Sequence, residues 1–196
     1  YSAVGCMIEA TTTLTRAEMC AVLFADVISF SKLDETKLPN FITGYLQPLA
    51  RTIQFARHNG YGPLDFNTWG DGLFCIFDSL FKAGQFALEM QRLVVSGQWQ
   101  LTRGAEKLRL RIALHAGPVY RIPDPIFPKD TFLGTNINFA ARIEPVTPPG
   151  EIYCSEAFAA LAAVEGAQDF AFKYVGKIKC PKNSGTHPLY ALKQLP

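Results

Sequence analysis

The stretch that most constrains the fold is residues 64–77, Leu-Asp-Phe-Asn-Thr-Trp-Gly-Asp-Gly-Leu-Phe-Cys-Ile-Phe. Two apolar runs flank a Gly-Asp-Gly turn. Asp-Gly between hydrophobic runs is a strong local hairpin signal, because glycine tolerates positive φ. The pattern predicts a hairpin of two buried strands with the Asp71 carboxylate at its tip. Alone, such an aspartate reads as a turn former. A second aspartate, Asp26, ends a similar apolar strand, and the pair invites a chemical reading.

Upstream of the hairpin, Cys20 to Ala25 is a continuous apolar run, the mark of a central strand. It ends in Asp26-Val27-Ile28-Ser29-Phe30-Ser31. Residues 34–58 place Leu38, Phe41, Ile42, Tyr45, Leu46, Leu49 and Ile53 mainly at spacings of three and four, which predicts a helix stopped at Asn59-Gly60. Residues 80–96 predict a second helix. In 108–116, leucines and Ile112 alternate with Arg109, Arg111 and His115, which predicts a strand with His115 facing outward as a structural residue. Four prolines (Pro118, Pro123, Pro125, Pro128) make 118–130 a loop. Residues 134–143 predict a helix with Asn138 and Arg142 on one face. A short strand at 151–154, a helix capped by Ser155 and strands at 170–180 and 189–192 complete the chain. The order β-α-β-β-α-β, then further α and β, predicts an α+β fold: a ferredoxin-like βαββαβ core with a C-terminal αβ extension. Residues 1–20 read as an N-terminal arm and 21–196 as one domain.

A net charge of +2 is too weak to make nucleic acid or a membrane surface the main partner. No apolar run approaches the roughly 18–20 residues of a spanning helix, and no basic segment followed by an apolar one opens the chain. The five cysteines (Cys6, Cys20, Cys75, Cys154, Cys180) are scattered, odd in number and without a CxxC pair. They read as reduced thiols of a cytoplasmic protein, and the spacing disfavours a zinc site. The first residue is not Met, so the numbered chain can begin inside a longer protein.

Four blocks, in order, resemble the catalytic domain of class III nucleotidyl cyclases over about residues 21–192. They are Leu23 to Ser31; Asn67-Thr68-Trp69-Gly70-Asp71-Gly72; Leu110 to Val119, containing Arg111 and His115-Ala116-Gly117; and Gly134 to Ile143 followed by Gly150-Glu151-Ile152. The resemblance implies a nucleoside triphosphate substrate and a cyclic monophosphate product. It implies that Asp26 and Asp71, with the Val27 carbonyl, hold two divalent ions (Mg or Mn), which take hard oxygen ligands about 3.5–4 Å apart. Asp26 also has an ordinary reading as a helix cap. Backbone N–H groups of Ile28, Ser29, Phe30 and Ser31 can face a triphosphate near a helix start. By resemblance Asn138 orients the ribose and Arg142 stabilises charge on the α-phosphoryl oxygens; otherwise the two form a solvated helix face. Arg111 matches a triphosphate arginine, with an exposed strand arginine as the competitor. Lys182 is the candidate phosphate lysine, and Lys179 stays open because the spacing departs from the family by one residue.

Base choice departs from the family's purine code. In the family Lys with a later Asp or Thr goes with adenine, and Glu with a later Cys goes with guanine; here the first position holds Asn67 and the second holds Thr131, with Phe132 beside it. An ammonium only donates and a carboxylate only accepts, whereas an amide does both. Asn67 can therefore face uracil, cytosine or adenine. Tyr45 reads either as a residue of the base pocket or as ordinary core. The Trp-Gly-Asp-Gly turn, the proline-rich loop and Ala-Arg-Ile-Glu-Pro resemble the bacterial pyrimidine cyclases of the Pycsar anti-phage systems. That implies UTP over CTP as substrate and a separate effector that answers the cyclic nucleotide. Because one chain holds both half-sites, the resemblance also implies a homodimer with two equivalent sites, one protomer giving metals and the other giving base and Asn138/Arg142 contacts.

Overall fold

The computed structural model describes residues 16–28, 30, 35–99, 108–166 and 169–195. Strands β1 (Ala17–Val27), β2 (Asp65–Trp69), β3 (Gly72–Phe77), β4 (Leu110–Pro123), β6 (Ile152–Ser155), β7 (Phe170–Lys179) and β8 (Thr186–Gln194) form one sheet in the order β2-β3-β1-β4-β6-β8-β7, with β5 (Asp130–Leu133) on the outer end of β4. The β2-β3-β1-β4 part is the antiparallel ferredoxin-like sheet, and β6, β7 and β8 are the extension. Only β4 and β6 run parallel.

β1 is central and buried on both faces, which explains its unbroken apolar run. Ala21, Leu23 and Ala25 meet a core shared with α2 (Gln47–His58), α3 (Leu80–Val95) and α5 (Glu156–Val164). Val22 and Phe24 face the other side, which α4 (Thr135–Ile143) covers. Asp26 continues this second series at the strand's end.

Several boundaries differ from the sequence reading. β1 starts at Ala17, so Ala17 to Cys20, read as the end of an arm, pair with β4. β4 runs through Pro118 and Pro123 instead of yielding to a loop. Pro118 is tolerated because the side of β4 away from β1 has no partner there: β6 pairs only at Ile112–Leu114 and β5 only from Tyr120. The helix expected over 34–58 is α1 (Leu38–Phe41), a π turn (Ile42–Leu46) and α2. Pro48 accounts for the π turn, since its ring would collide with the carbonyl of Gly44 in a regular helix; the Gln47 N–H bonds Ile42 O instead. The hairpin forms, but β2 is largely exposed rather than buried, and the positive φ falls on Gly70. Among the described residues no helix is long and apolar enough to cross a membrane.

Candidate active site

Asp26 stands opposite Arg111 in the β1–β4 register, on the face that α4 covers. β3 pairs β1 with Leu73 opposite Ala25, so the β2–β3 turn brings Asp71 alongside. The two carboxyl groups hydrogen-bond each other. Asp71 is raised to about 7, first by burial and then by the Asp26 hydrogen bond and charge, while backbone amides of Asp71 and Val27 oppose the shift. Two carboxylates this close repel each other unless positive charge lies beside them. An all-oxygen pair of this kind suits hard divalent cations, so the residues present fit the implied metals.

Arg111 braces the pair. Its Nη2 donates to Asp26 Oδ2 at 2.7 Å, and its Nε lies 2.8 Å from Glu144 Oε1. The second contact is close but misaligned, which leaves both of those buried atoms without a well-formed hydrogen bond. Burial raises Glu144 to about 7 against the pull of Arg111, with Asp26 and Asp71 adding to the rise. Arg111 is therefore half-buried between two acids, not an exposed strand arginine. The sequence reading missed Glu144; its signal was its place in the Ala-Arg-Ile-Glu run after Arg142.

Two expectations for this end of the site need correction. The Ile28 N–H donates to Arg109 O at 2.9 Å, extending the β1–β4 ladder, so it is not free for a phosphate. Tyr45 is buried, touches Phe41 and Trp99, and donates its hydroxyl to the Asp71 carbonyl at 3.1 Å. It holds the turn that carries Asp71 and does not line the base hollow. Phe30 packs on Phe41 and lies against Gly70 at the same turn. Ser29 and Ser31 lie outside the described residues.

The residues expected at the base converge from distant parts of the chain. Asn67 on β2 and Thr131 and Phe132 on β5 line one hollow of about 220 Å³ together with Phe24, Asp65 and Lys129. Phe24 precedes Asp26 by two residues on the same face of β1. The Asn67 Oδ1 accepts the Thr68 N–H at 2.9 Å, and the side chain is exposed.

Asn138 and Lys182 are exposed, and Arg142 is half-buried; none makes a hydrogen bond or ion pair among the described residues. Lys182 and Asn183 form the β7–β8 turn in left-handed conformations, φ 58° and 55°. Lys179 ends β7, also exposed. Phe139 of α4 meets the ring of His187 on β8 at 4.6 Å, so the helix with Asn138 and Arg142 and the strand leading from Lys182 pack together. His115 does not face outward. It is buried under α4, because this end of the sheet is covered on both sides. Cys20, Cys75, Cys154 and Cys180 are free thiols, while Cys6 lies outside the described residues.

A ferredoxin-like sheet with paired strand-end carboxylates is the architecture of nucleotidyl cyclase catalytic domains. The chain belongs to the family described as the adenylate and guanylate cyclase catalytic domain, which matches residues 13–194. It is similar in fold to the adenylyl cyclase CyaB of P. aeruginosa, at 19% identity over 92% of this chain and 96% of that one, with a TM-score of 0.75. It is also similar in fold to the guanylate cyclase domain of RhGC from Catenaria anguillulae, solved in complex with GTP, at 19% identity over 91% of this chain and 98% of that one, with a TM-score of 0.70. In sequence it is 29% identical, over 88% of its length, to R831 of Acanthamoeba polyphaga mimivirus, whose name is that of a serine/threonine-protein kinase/receptor. The chain spans 12% of that relative's length.

Proposed function

We propose that the chain is a nucleotidyl cyclase that converts a pyrimidine nucleoside triphosphate, UTP before CTP, to its 3′,5′-cyclic monophosphate and pyrophosphate. The ribose 3′-oxygen bonds to the α-phosphorus, the bond to the β-phosphate oxygen breaks, and the 3′-hydroxyl proton is lost. Two divalent ions (Mg or Mn) would be held by Asp26, Asp71 and the Val27 carbonyl; when bound they supply Lewis-acid stabilisation of the attacking and leaving oxygens. Asn138 orients the ribose and Arg142 meets charge growing on the α-phosphoryl oxygens. Lys182, with Lys179 as the alternative, neutralises the outgoing phosphates. Arg111 holds Asp26 in place, and reaches a triphosphate only by releasing one of its two acids.

The observation that carries the pyrimidine reading is the amide of Asn67, in the hollow it shares with Thr131, where the purine code needs a fixed charge; Thr131 itself is also compatible with adenine. The Asn67 N–H₂ can donate to O4 of uracil while its free lone pair meets N3–H. A flipped amide serves cytosine, and the same amide can face adenine. The free Asn138, Arg142 and Lys182 support a head-to-tail homodimer, in which a partner's metal carboxylates complete each site. A cyclic pyrimidine nucleotide suits a signal read by a separate effector protein.

The test is incubation with each of the four NTPs and Mn²⁺, followed by chromatographic resolution of cyclic products. Cyclic UMP in excess supports the proposal. Cyclic AMP in excess selects an adenylate cyclase with atypical base contacts. Absence of product from all four leaves a nucleotide-binding module without turnover.

A further inference from the structure

Beneath α4 lies a polar chain, buried at His115 and Ser155 and half-buried at Asn136, that the chemistry above does not use. The Asn136 Nδ2 donates to the Pro118 carbonyl at 2.7 Å, which fixes the amide with Oδ1 toward His115. His115 Nε2 lies 3.0 Å from that oxygen, so Nε2 carries the proton and donates. Nδ1 is then the acceptor, and it takes the hydroxyl of Ser155 at 2.7 Å. Ser155 Oγ in turn accepts the Phe158 N–H at 3.1 Å and caps α5. Every side-chain group in the run has its partner, and only a neutral imidazole in one tautomer satisfies it.

Two further features tie this chain to the rotation of α4. Phe139, one turn beyond Asn136 on the same face, stands edge-on between His115 at 4.8 Å and His187 at 4.6 Å. Gly117 leaves the room that Asn136 fills: a Cβ there would come within 2.5 Å of the Asn136 side-chain carbon. The glycine is required for space, not for its φ.

We propose that His115 and Asn136 are positioning residues that pin the first turn of α4 to β4 and β6, and so set where Asn138 and Arg142 stand. The inference rests on the cyclase reading only for what those two residues do. The pin itself is a statement about the helix.

Asn136→Ala tests it, since Asn136 is half-buried and its loss leaves the apolar core intact. Hydrogen exchange over residues 135–143 should accelerate about tenfold or more while the β1 and β3 amides keep their protection. The kcat should fall about tenfold or more with KM within about twofold, because misplacing a transition-state group costs rate more than binding. In an Asn138→Ala/Arg142→Ala background the same change should add less than about threefold, because the groups being positioned are gone. Gly117→Ala, which crowds the amide, should reproduce the exchange effect. Unchanged exchange in α4 overturns the pin, and so does an Asn136→Ala loss of full size in the Asn138→Ala/Arg142→Ala background. A wild-type chain inert toward every NTP while α4 exchange still rises overturns the cyclase reading and upholds the pin.

Discussion

The two ends of the candidate site differ in how their polar groups are employed. Around β1 and the β2–β3 turn, Asp26, Asp71, Arg111 and Glu144 contact one another within the chain. On the outer face of α4 and at the β7–β8 turn, Asn138, Arg142 and Lys182 contact no polar partner among the described residues. The first cluster is already in contact within one chain, and burial, helped by the neighbouring acids, raises Asp71 and Glu144 to about 7. The second is a set of donors mounted on a short helix and a strained turn, with no anion beside it among the described residues. Halves that differ in this way are what the proposed head-to-tail dimer requires, with a second molecule bringing the complementary half.

The largest expected effect tests the first half. Asp71→Asn keeps the shape of the turn but removes a charge that cations need. Turnover should fall by about 10³-fold or more, with the melting temperature held or raised, since burial already disfavours the charged form of Asp71. A residual rate above about a tenth of wild type would take Asp71 out of the metal site.

Next in size is Arg142→Ala, with an expected loss of about 10²–10³-fold in kcat. Mixing this variant with Asp71→Ala breaks or confirms the comparison directly. Head-to-tail exchange makes heterodimers in which one site combines the intact Asp71 of one protomer with the intact Arg142 of the other. An equal mixture should recover about a quarter of wild-type activity, as half the dimers carry one good site of two. No recovery from subunits shown to exchange would mean that both halves act within one protomer.

Legibility from the sequence follows the same division. The strand-end aspartates and the Asn138–Arg142 spacing were readable because local periodicity fixes which side chains share a face. The convergence of Asn67 with Thr131 was readable only through the family resemblance, because β2 and β5 meet through sheet order, which no local pattern encodes. Glu144 was missed because its role comes from burial beside Arg111, two strands and a helix away in sequence. His115 was misread as outward because alternation says which residues share a face, not whether that face is covered. The proline-rich stretch read as loop because composition does not reveal that one side of β4 lacks a partner at Pro118.

A smaller effect separates the turn from the base hollow. Tyr45→Phe deletes the bond to the Asp71 carbonyl, worth about 1 kcal/mol. It should slow turnover about threefold to tenfold through the turn, while the ratio of cyclic UMP to other products stays the same. Asn67→Lys should do the reverse, shifting the product ratio toward cyclic AMP by about tenfold with the fold undisturbed. A changed ratio in Tyr45→Phe would return Tyr45 to the base pocket.

The smallest effect is on stability against pH, and it isolates the pin under α4. His115 is held below the usual imidazole value of 6.5, first by burial and also by the charge of His187 on β8, with the Asn136 hydrogen bond opposing. The folded chain therefore favours neutral His115, and below about 6.5 the unfolded chain binds the extra proton more readily. The stabilisation from this residue is complete above that pH and is lost as pH falls toward the folded value. Asp71 and Glu144 act in the opposite sense: raised to about 7 from ordinary values of 3.8 and 4.5, they favour the folded state as pH falls from about 7. Comparison with His115→Gln cancels those two acids, since the variant retains both. Denaturant titrations at pH 7.5 and at about pH 5 should show the stability advantage of wild type over His115→Gln shrinking at the lower pH. An advantage that stays constant across that range would mean that the imidazole is not held neutral between Ser155 and Asn136.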